Sequence, residues 1–169
     1  MKNRPAKANP AESKPALFIG RFQPFHIGHL RALKYAAKRH VRLIVVIGSA
    51  QKKDAKNPFA TSVRRKMLQS ALCSDKINAK IKVLADSRSN EKWMQNIKKL
   101  SGGAKTVYSN NILVRRLCRR AGFAVVPVPF YKRYKYYATL IRKRMRAGRK
   151  WQQLVPKNVV KIIEKSRAF

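Results

Sequence analysis

Residues 17–48 have the sequence LFIGRFQPFHIGHLRALKYAAKRHVRLIVVIG, and this stretch decides the fold. It holds two apolar runs, Leu17–Ile19 and Leu43–Ile47, each followed by a glycine. Their length and β-branching are typical of buried parallel strands. Between them, residues 27–39 lack an interior proline and carry apolar residues at helical spacing. The stretch is therefore predicted to form a strand–helix–strand crossover.

The same alternation continues to residue 126. Helices are predicted over residues 62–73, 90–100 and 112–121, and extended segments over residues 80–84, 106–108 and 124–126. Five strands separated by helices predict a Rossmann-like α/β fold, with a mostly parallel sheet and helices on both faces.

The last part of the chain has a different pattern. A Tyr- and Lys-rich connection over residues 130–137 precedes a basic helix predicted over residues 138–147, and residues 151–169 are expected to add one or two short helices. Because no repeat and no second hydrophobic core is evident, we expect one domain over residues 15–169, including C-terminal helices within 138–169.

Residues 1–14 are rich in Pro, Ala, Asn and Lys, and we expect them to form a disordered basic leader. They contain no apolar run of the kind that a signal peptide or a membrane span requires. A transit peptide is the alternative, but the amphipathic periodicity of such peptides is missing.

Composition indicates an affinity for anions. Lys and Arg number 41 against 6 acids, which gives a formal net charge of +35. Such a surface attracts nucleotides, nucleic acids and acidic membranes alike, so charge alone does not identify the partner. We expect non-specific, salt-sensitive nucleic-acid binding and no membrane association. The two cysteines, Cys73 and Cys118, lack metal-ligand spacing, which argues against a disulfide framework and a zinc site and favours a reducing, cytoplasmic location.

The loop after the first predicted strand carries the most informative motif, Gly20-Arg21-Phe22-Gln23-Pro24-Phe25-His26-Ile27-Gly28-His29. Ligands of open parallel sheets bind beyond the carboxyl ends of the strands. Backbone amides at a helix N-terminus bind phosphate oxygens, and Gly28 would let a phosphate chain approach closely. His26 and His29 would donate to those oxygens. Two surface imidazoles or half of a metal site are the alternatives, but no acid or cysteine lies nearby in the sequence, and we predict no protein metal site.

The residues from Gly20 to Leu30 resemble the HxGH signature of nucleotidyltransferases, and their surroundings are similar to archaeal-type nicotinamide mononucleotide adenylyltransferases. Several further blocks carry the resemblance in order along the chain. They are Gly48–Gln51, Asn57–Phe59 with Arg64, Asp86 with Asn90 and Trp93, Tyr108–Asn111, and Thr139 with Ile141 and Arg142.

This resemblance implies attack by the phosphate of nicotinamide mononucleotide on the α-phosphorus of ATP, forming NAD and pyrophosphate, with Mg²⁺ entering as part of the ATP complex. It implies His26, His29 and Arg142 as catalytic residues. The implied ATP-binding residues are Gly20, Arg21, Phe22, Gly28, Tyr108, Asn110 and Thr139. The implied acceptor-binding residues are Ser49, Gln51, Lys56, Asp86, Asn90 and Trp93.

Two of these residues have an ordinary structural alternative. Trp93 could stack on the nicotinamide ring, but its spacing with Ile97 and Leu100 is also that of a core-facing stripe. Asp86 could order the acceptor loop or cap the following helix.

The chain departs from the family pattern at three places: Lys52-Lys53-Asp54 replace a stretch that usually carries Ser-His, Val63 replaces a Glu, and Tyr137-Ala138 replace Ser-Gly. Two competing hypotheses stay open. One is a related transferase that uses phosphopantetheine, a flavin mononucleotide or glycerol phosphate as acceptor. The other is a nucleic-acid-binding protein on this fold, which would use the segment from Tyr131 to Tyr137. Members of the family are commonly oligomers, so a homo-oligomer is possible, although like charges would repel.

Overall fold

The computed structural model describes residues 14–169 and contains a five-stranded sheet. Numbered in chain order, the strands are β1 Ala16–Gly20, β2 Leu43–Ile47, β3 Ala79–Val83, β4 Thr106–Tyr108 and β5 Ala124–Val126. They lie in the order β3-β2-β1-β4-β5, and every neighbouring pair is parallel. The predicted α/β fold with a parallel sheet is confirmed.

The centre of the sheet is its most apolar part. Every residue of β2 is buried, as the continuous apolar run predicts for a strand covered on both faces. β1 pairs with β2 on one side and with β4 on the other, which places Phe18 between Val45 and Tyr108. The edge strand β3 instead carries Lys80 and Lys82, and charges on an edge discourage pairing with other chains.

The helices agree with the predicted spans to within two residues at each end. They are α1 Ile27–Ala37, α2 Thr61–Ser74, α3 Asn90–Leu100, α4 Ile112–Arg120, α5 Ala138–Arg146 and α6 Lys157–Lys165. A short 3₁₀ helix, Gln152–Leu154, precedes α6, so the C-terminal segment contains the short helices that we expected.

The helices cover the sheet from both sides. One hydrophobic cluster joins the sheet to α1, α2, α5 and α6, and includes Leu33, Met67 and Ile141. The other joins it to α3 and α4, and includes Ile97 and Cys118. Two layers of helices around one sheet leave the carboxyl edge of the strands as the open face.

Other expectations concern the termini and the cysteines. The predicted leader lies outside the described residues except for Lys14, so it stays a prediction. Both cysteines are free; Cys73 is exposed, and burial raises the pKa of the Cys118 thiol to about 11. Within residues 14–169, no helix is long and apolar enough to cross a membrane.

Replacement of Leu33 by Ala should lower the free energy of unfolding by about 2–5 kcal/mol, since Leu33 is completely buried between α1 and the sheet. Urea unfolding followed by circular dichroism measures the change. Val41→Ala is the matched control, because Val41 is 49% exposed and should change stability by less than about 0.5 kcal/mol. Equal losses in the two variants would contradict the assigned core.

Candidate active site

Two cavities open at the carboxyl edge of the sheet and meet at the end of β1. The first has a volume of about 260 Å³ and is walled by α1, β4 and residues 128–137. The second has a volume of about 570 Å³ and is walled by the loops after β2 and β3 and by α3 and α4. Ile19, Gly20 and Asn111 line both cavities. Because β1 lies between β2 and β4, this is the topological switch point at which open α/β sheets bind ligands.

His26 and His29 lie together in the first cavity. His26 is the N-cap of α1, and its Nδ1 accepts a hydrogen bond of 3.2 Å from the backbone N–H of His29. The two imidazoles stack with their centres 3.6 Å apart. Since Nδ1 of His26 is an acceptor, the proton of the neutral ring is on Nε2 and is available to a ligand.

Both imidazoles are neutral at neutral pH. Burial and the neighbouring His29 lower the pKa of His26 well below its ordinary value, and burial lowers the pKa of His29 to about 3. Nδ1 of His29 is buried and has no hydrogen-bond partner among the described residues. A buried polar atom without a partner indicates a place where a ligand supplies one.

Close packing constrains three residues of the motif, Gly20, Phe22 and Gly28. Phe22 has a positive φ of 55° and a buried side chain, whose ring contacts His29 edge-on with a centroid distance of 5.0 Å. The Phe22 side chain is therefore not available to ATP, and the predicted contact could be made only by the Phe22 backbone. A Cβ at Gly20 would lie 2.7 Å from the Phe22 ring. At Gly28, a Cβ would lie 3.0 Å from the His26 ring, so glycine is also required there by close packing.

Arg64 is buried in α2 and holds the loops after β1 and β2 together. Its Nη1 donates to the carbonyl oxygens of Arg21 and Gly48, at 3.0 and 2.9 Å. Its Nη2 donates to the carbonyl oxygens of Ser49 and Ala50 and to the Thr61 hydroxyl. All five acceptors are uncharged. Burial, and to a lesser extent repulsion from Arg21, lowers the pKa of this guanidinium.

Arg142 fastens α5 to the same loop. Its Nη1 donates to the Gln23 carbonyl at 2.7 Å and its Nη2 to the Thr139 hydroxyl at 3.2 Å. Burial, with Arg21 and Arg146 nearby, lowers the pKa of Arg142. Arg21 is thus close enough to two buried guanidiniums to repel both, and an anion placed among them relieves the repulsion.

Asp86 organises the wall of the second cavity. Its Oδ1 accepts from the Ser49 hydroxyl at 2.9 Å, its Oδ2 lies 3.2 Å from the Lys52 Nζ, and its backbone N–H donates to the Gln51 side chain. The capping alternative for Asp86 is wrong, because Ser89 is the N-cap of α3. Asp86 therefore orders the loop after β2.

Trp93 makes the core contact that its spacing predicts and also lines the second cavity. It is half-buried and packs against the hydrophobic cluster under α3. Asn90, the first residue of α3, lines the same cavity.

The predicted site residues divide between the two cavities and their supports. Those in the first cavity are Gly20, His26, Gly28, His29, Tyr108 and Asn110. Those in the second are Gly20, Arg21, Ser49, Asp86, Asn90 and Trp93. Gln51 and Arg142 bond to the loops without lining a cavity, and the Thr139 hydroxyl accepts from Arg142 within α5. Lys56 is exposed outside both linings.

Two of the residues that line the first cavity, Tyr108 and Asn110, form side-chain hydrogen bonds within the protein. The Tyr108 hydroxyl lies 3.0 Å from Nε2 of His40, so its polar end points away from the ligand face. The Asn110 amide pairs with both backbone polar groups of Val128, at 2.7 and 2.9 Å, which fixes the loop after β5.

Sequence reasoning missed the roles of Arg64 and Lys52, and also that of Asn111, which caps α4 and lines both cavities. Arg64 shares the buried face of α2 with Met67, Leu68 and Ala71, so a charge on an apolar stripe was the available signal. Lys52, rather than Lys56, lies in the second cavity, because Asp54 accepts from the backbone and side chain of Asn57 and from the Lys56 N–H, which closes a tight turn.

Within residues 14–169, no group of three or more His, Cys, Asp or Glu side chains is placed to hold a metal ion.

A family model described as cytidylyltransferase-like matches residues 17–144. The chain belongs to the cytidylyltransferase-like family. Within it, the chain is 41% identical over 150 residues to the nicotinamide-nucleotide adenylyltransferase of Methanosarcina barkeri, an alignment that covers 88% of this chain and 87% of that protein. It is 38% identical over 159 residues to the protein of that name from Pyrococcus furiosus, an alignment that covers 91% of this chain and 85% of that protein. The resemblance drawn from the motifs is confirmed.

A solved structure supports the same family membership. The bifunctional NMN adenylyltransferase/ADP ribose pyrophosphatase from Francisella tularensis, complexed with AMP and a manganese ion, superposes with a TM-score of 0.78 at 25% identity. The match covers 92% of this chain and 50% of that protein, so the chain spans about half the length of the bifunctional protein.

Replacement of Arg64 by Met should lower the free energy of unfolding by at least about 2 kcal/mol, because four loop carbonyls and the Thr61 hydroxyl lose their donor. Lys66→Met, an exposed position on the same helix, is the control with the same charge change. If both variants unfold at the wild-type urea concentration, Arg64 does not hold the loops.

The protein should lose stability as the pH falls from about 7 to about 5. The folded pKa of His29, about 3, lies below its ordinary value of 6.5, so the unfolded chain binds a proton that the folded chain does not. Stability is therefore complete above the unfolded value and declines below it, by roughly 1–2 kcal/mol at pH 5 for His29. Urea unfolding at a series of pH values tests this, and His29→Gln should flatten the dependence. An unchanged slope in that variant would contradict the assignment.

Proposed function

We propose that this member of the cytidylyltransferase-like family transfers the adenylyl group of ATP to nicotinamide mononucleotide. An oxygen of the mononucleotide phosphate bonds to the α-phosphorus of ATP, the bond from that phosphorus to the bridging oxygen breaks, and pyrophosphate leaves as NAD forms. The observation that carries the proposal is the meeting of two cavities at Gly20, one beside the histidine pair and one beside Trp93. The names of the relatives supply the acceptor.

ATP is assigned to the first cavity. His26 and His29 both line this cavity, and their ring N–H groups would donate to phosphate oxygens as negative charge accumulates. Gly28 lies in the first turn of α1, where backbone amide groups favour phosphate, and the backbone of Gly20 and Phe22 leads from β1 to that turn. Tyr108 and Asn110 shape the wall of the cavity.

The leaving pyrophosphate is assigned to the arginines. Arg142, positioned by Gln23 and Thr139, and the exposed Arg21 form a cationic group. Burial, followed by the charges of Arg21 and Arg146, lowers the pKa of Arg142, and the charge of Asp54 raises it in part. Positioning and charge neutralisation account for most of the catalysis in phosphoryl transfer, so this site needs no protein nucleophile and no covalent intermediate.

The acceptor is assigned to the second cavity. Trp93 offers a ring face for stacking on nicotinamide, and Asn90 offers a donor and an acceptor for the carboxamide. Ser49, Gln51 and Asp86 hold the loop that closes this cavity.

Mg²⁺ is expected to accompany ATP, held by phosphate oxygens and water rather than by a protein cage. When bound there, the ion neutralises charge on the phosphate chain. This chain's own contribution is the His and Arg donors around it.

Other parts of the proposal concern the cell. The free thiols are compatible with a reducing cytoplasm, where we place the enzyme. Non-specific, salt-sensitive retention of nucleic acid is expected from the net charge of +35. A homo-oligomer is compatible with the fold, but its interfaces would have to tolerate this charge.

The direct test is pyrophosphate release from ATP and Mg²⁺ with nicotinamide mononucleotide, phosphopantetheine or flavin mononucleotide as acceptor. Turnover is expected with nicotinamide mononucleotide alone. His29→Ala should reduce kcat/KM at least about a hundredfold, as loss of a transition-state donor does. Lys161→Ala, at an exposed position of α6, is the control. Turnover with another acceptor would show that the proposed acceptor is wrong. No turnover with any of the three acceptors would contradict the proposal that the protein is an adenylyltransferase.

Lys52→Met should raise the KM for the mononucleotide about threefold to fivefold with little change in kcat, because Lys52 lines the second cavity. Lys56→Met, with the same charge loss in the same loop, should leave KM close to the wild-type value. Steady-state kinetics with acceptor as the varied substrate gives both values. A larger effect at Lys56 would show that this loop rearranges around the acceptor.

A further inference from the structure

Residues 130–137, called here the aromatic strip, have the sequence Phe-Tyr-Lys-Arg-Tyr-Lys-Tyr-Tyr. Three of its rings are open to solvent: Phe130 is 60% exposed, Tyr134 76% and Tyr137 40%. Large exposed aromatic side chains concentrated in eight residues are unusual on a protein surface, and they mark a binding region.

The strip is anchored to the body of the protein. The Arg31 guanidinium of α1 lies 5.7 Å from the ring centres of both Tyr131 and Tyr136, which are half-buried. A turn holds the middle of the strip, since the backbone N–H groups of Lys135 and Tyr136 both donate to the Lys132 carbonyl. The exposed rings therefore project from a supported backbone.

The charge around the strip has one sign. Lys132, Arg133 and Lys135 alternate with the rings, and no Asp or Glu occurs in the chain between Glu91 and Glu164. The Arg133 guanidinium lies 4.6 Å from the Phe130 ring centre, which places a cation beside an exposed ring face. The partner complementary to this surface is anionic and offers flat groups for stacking.

We propose that the aromatic strip binds single-stranded nucleic acid. Unpaired bases stack on Phe130, Tyr134 and Tyr137, and the phosphates contact the alternating cations. A duplex hides its base faces and could use only the cations. An acidic membrane is the weaker match, because the strip contains no aliphatic residue to insert.

The position of the strip adds a consequence that rests on the proposed function. Phe130, Tyr131 and Arg133 also line the first cavity, so a bound strand lies at its mouth. Tyr134, Lys132 and Lys135 line neither cavity. Variants at these three positions therefore separate nucleic-acid binding from adenylyl transfer.

Fluorescence anisotropy of a labelled oligothymidylate of about 15 nucleotides measures binding to the full chain, at about 50 and about 200 mM NaCl. Tyr134→Ala leaves the net charge unchanged and should weaken binding about fivefold or more at both salt concentrations. Lys132→Ala with Lys135→Ala should weaken it more than Lys98→Ala with Lys99→Ala, which removes the same charge from α3. Thermal unfolding and adenylyl transfer should be unchanged in Tyr134→Ala.

A second measurement locates the strand. An oligonucleotide carrying 5-iodouracil, photo-crosslinked and analysed by mass spectrometry, should form adducts within residues 130–137. The proposal is overturned if the adducts lie elsewhere, if Tyr134→Ala binds as well as wild type, or if the two lysine pairs contribute equally. Tighter binding to a duplex of the same length or to phosphatidylserine vesicles also overturns it. If the wild-type chain binds the oligonucleotide as described but releases no pyrophosphate, the proposed function is contradicted and the proposal for the aromatic strip is not.

Discussion

The hydrogen bonds of the Arg64 guanidinium are the constraint on which the rest of the site depends. A buried cation is tolerated only where it finds acceptors, and Arg64 finds them in the loops after β1 and β2. These bonds fix where the chain leaves Gly20, so the two cavities meet at one edge of β1. Phe22, turned into the core by its positive φ, supports the histidine pair from below. A ligand that spans both cavities therefore meets a preorganised junction rather than a flexible loop.

The positive charge around the site also favours anionic ligands. Arg21 repels both Arg64 and Arg142, and neither buried guanidinium contacts a carboxylate among the described residues. A polyanion relieves this repulsion, and ATP and pyrophosphate are polyanions. The aromatic strip carries this preference outward from the mouth of the first cavity. In the two proposals made above, one positive potential attracts a small nucleotide into the cavity and a nucleic-acid strand to the surface.

The sequence predicted the elements of the fold because apolar periodicity reports burial, and α1 and β2 have clear patterns. It also placed His26 and His29 at the start of α1. It could not show which loop side chains turn inward. The Asp54–Asn57 turn directs Lys56 away and leaves Lys52 in the second cavity, and nothing in the spacing of the lysines reveals that. Arg64 on the buried stripe of α2 was visible in the sequence, but its acceptors are backbone carbonyls, which any sequence provides.

The central claim is that one ligand spans the junction at Gly20, with its adenylyl half beside His26 and its nicotinamide half beside Trp93. A crystal structure of the protein with NAD tests this most directly. The account predicts the adenosine and its phosphate in the first cavity, the pyrophosphate bridge at Gly20, and the nicotinamide ring against Trp93 in the second cavity. Both halves of NAD on one side of β1, or the adenine ring stacked on Trp93, would contradict it.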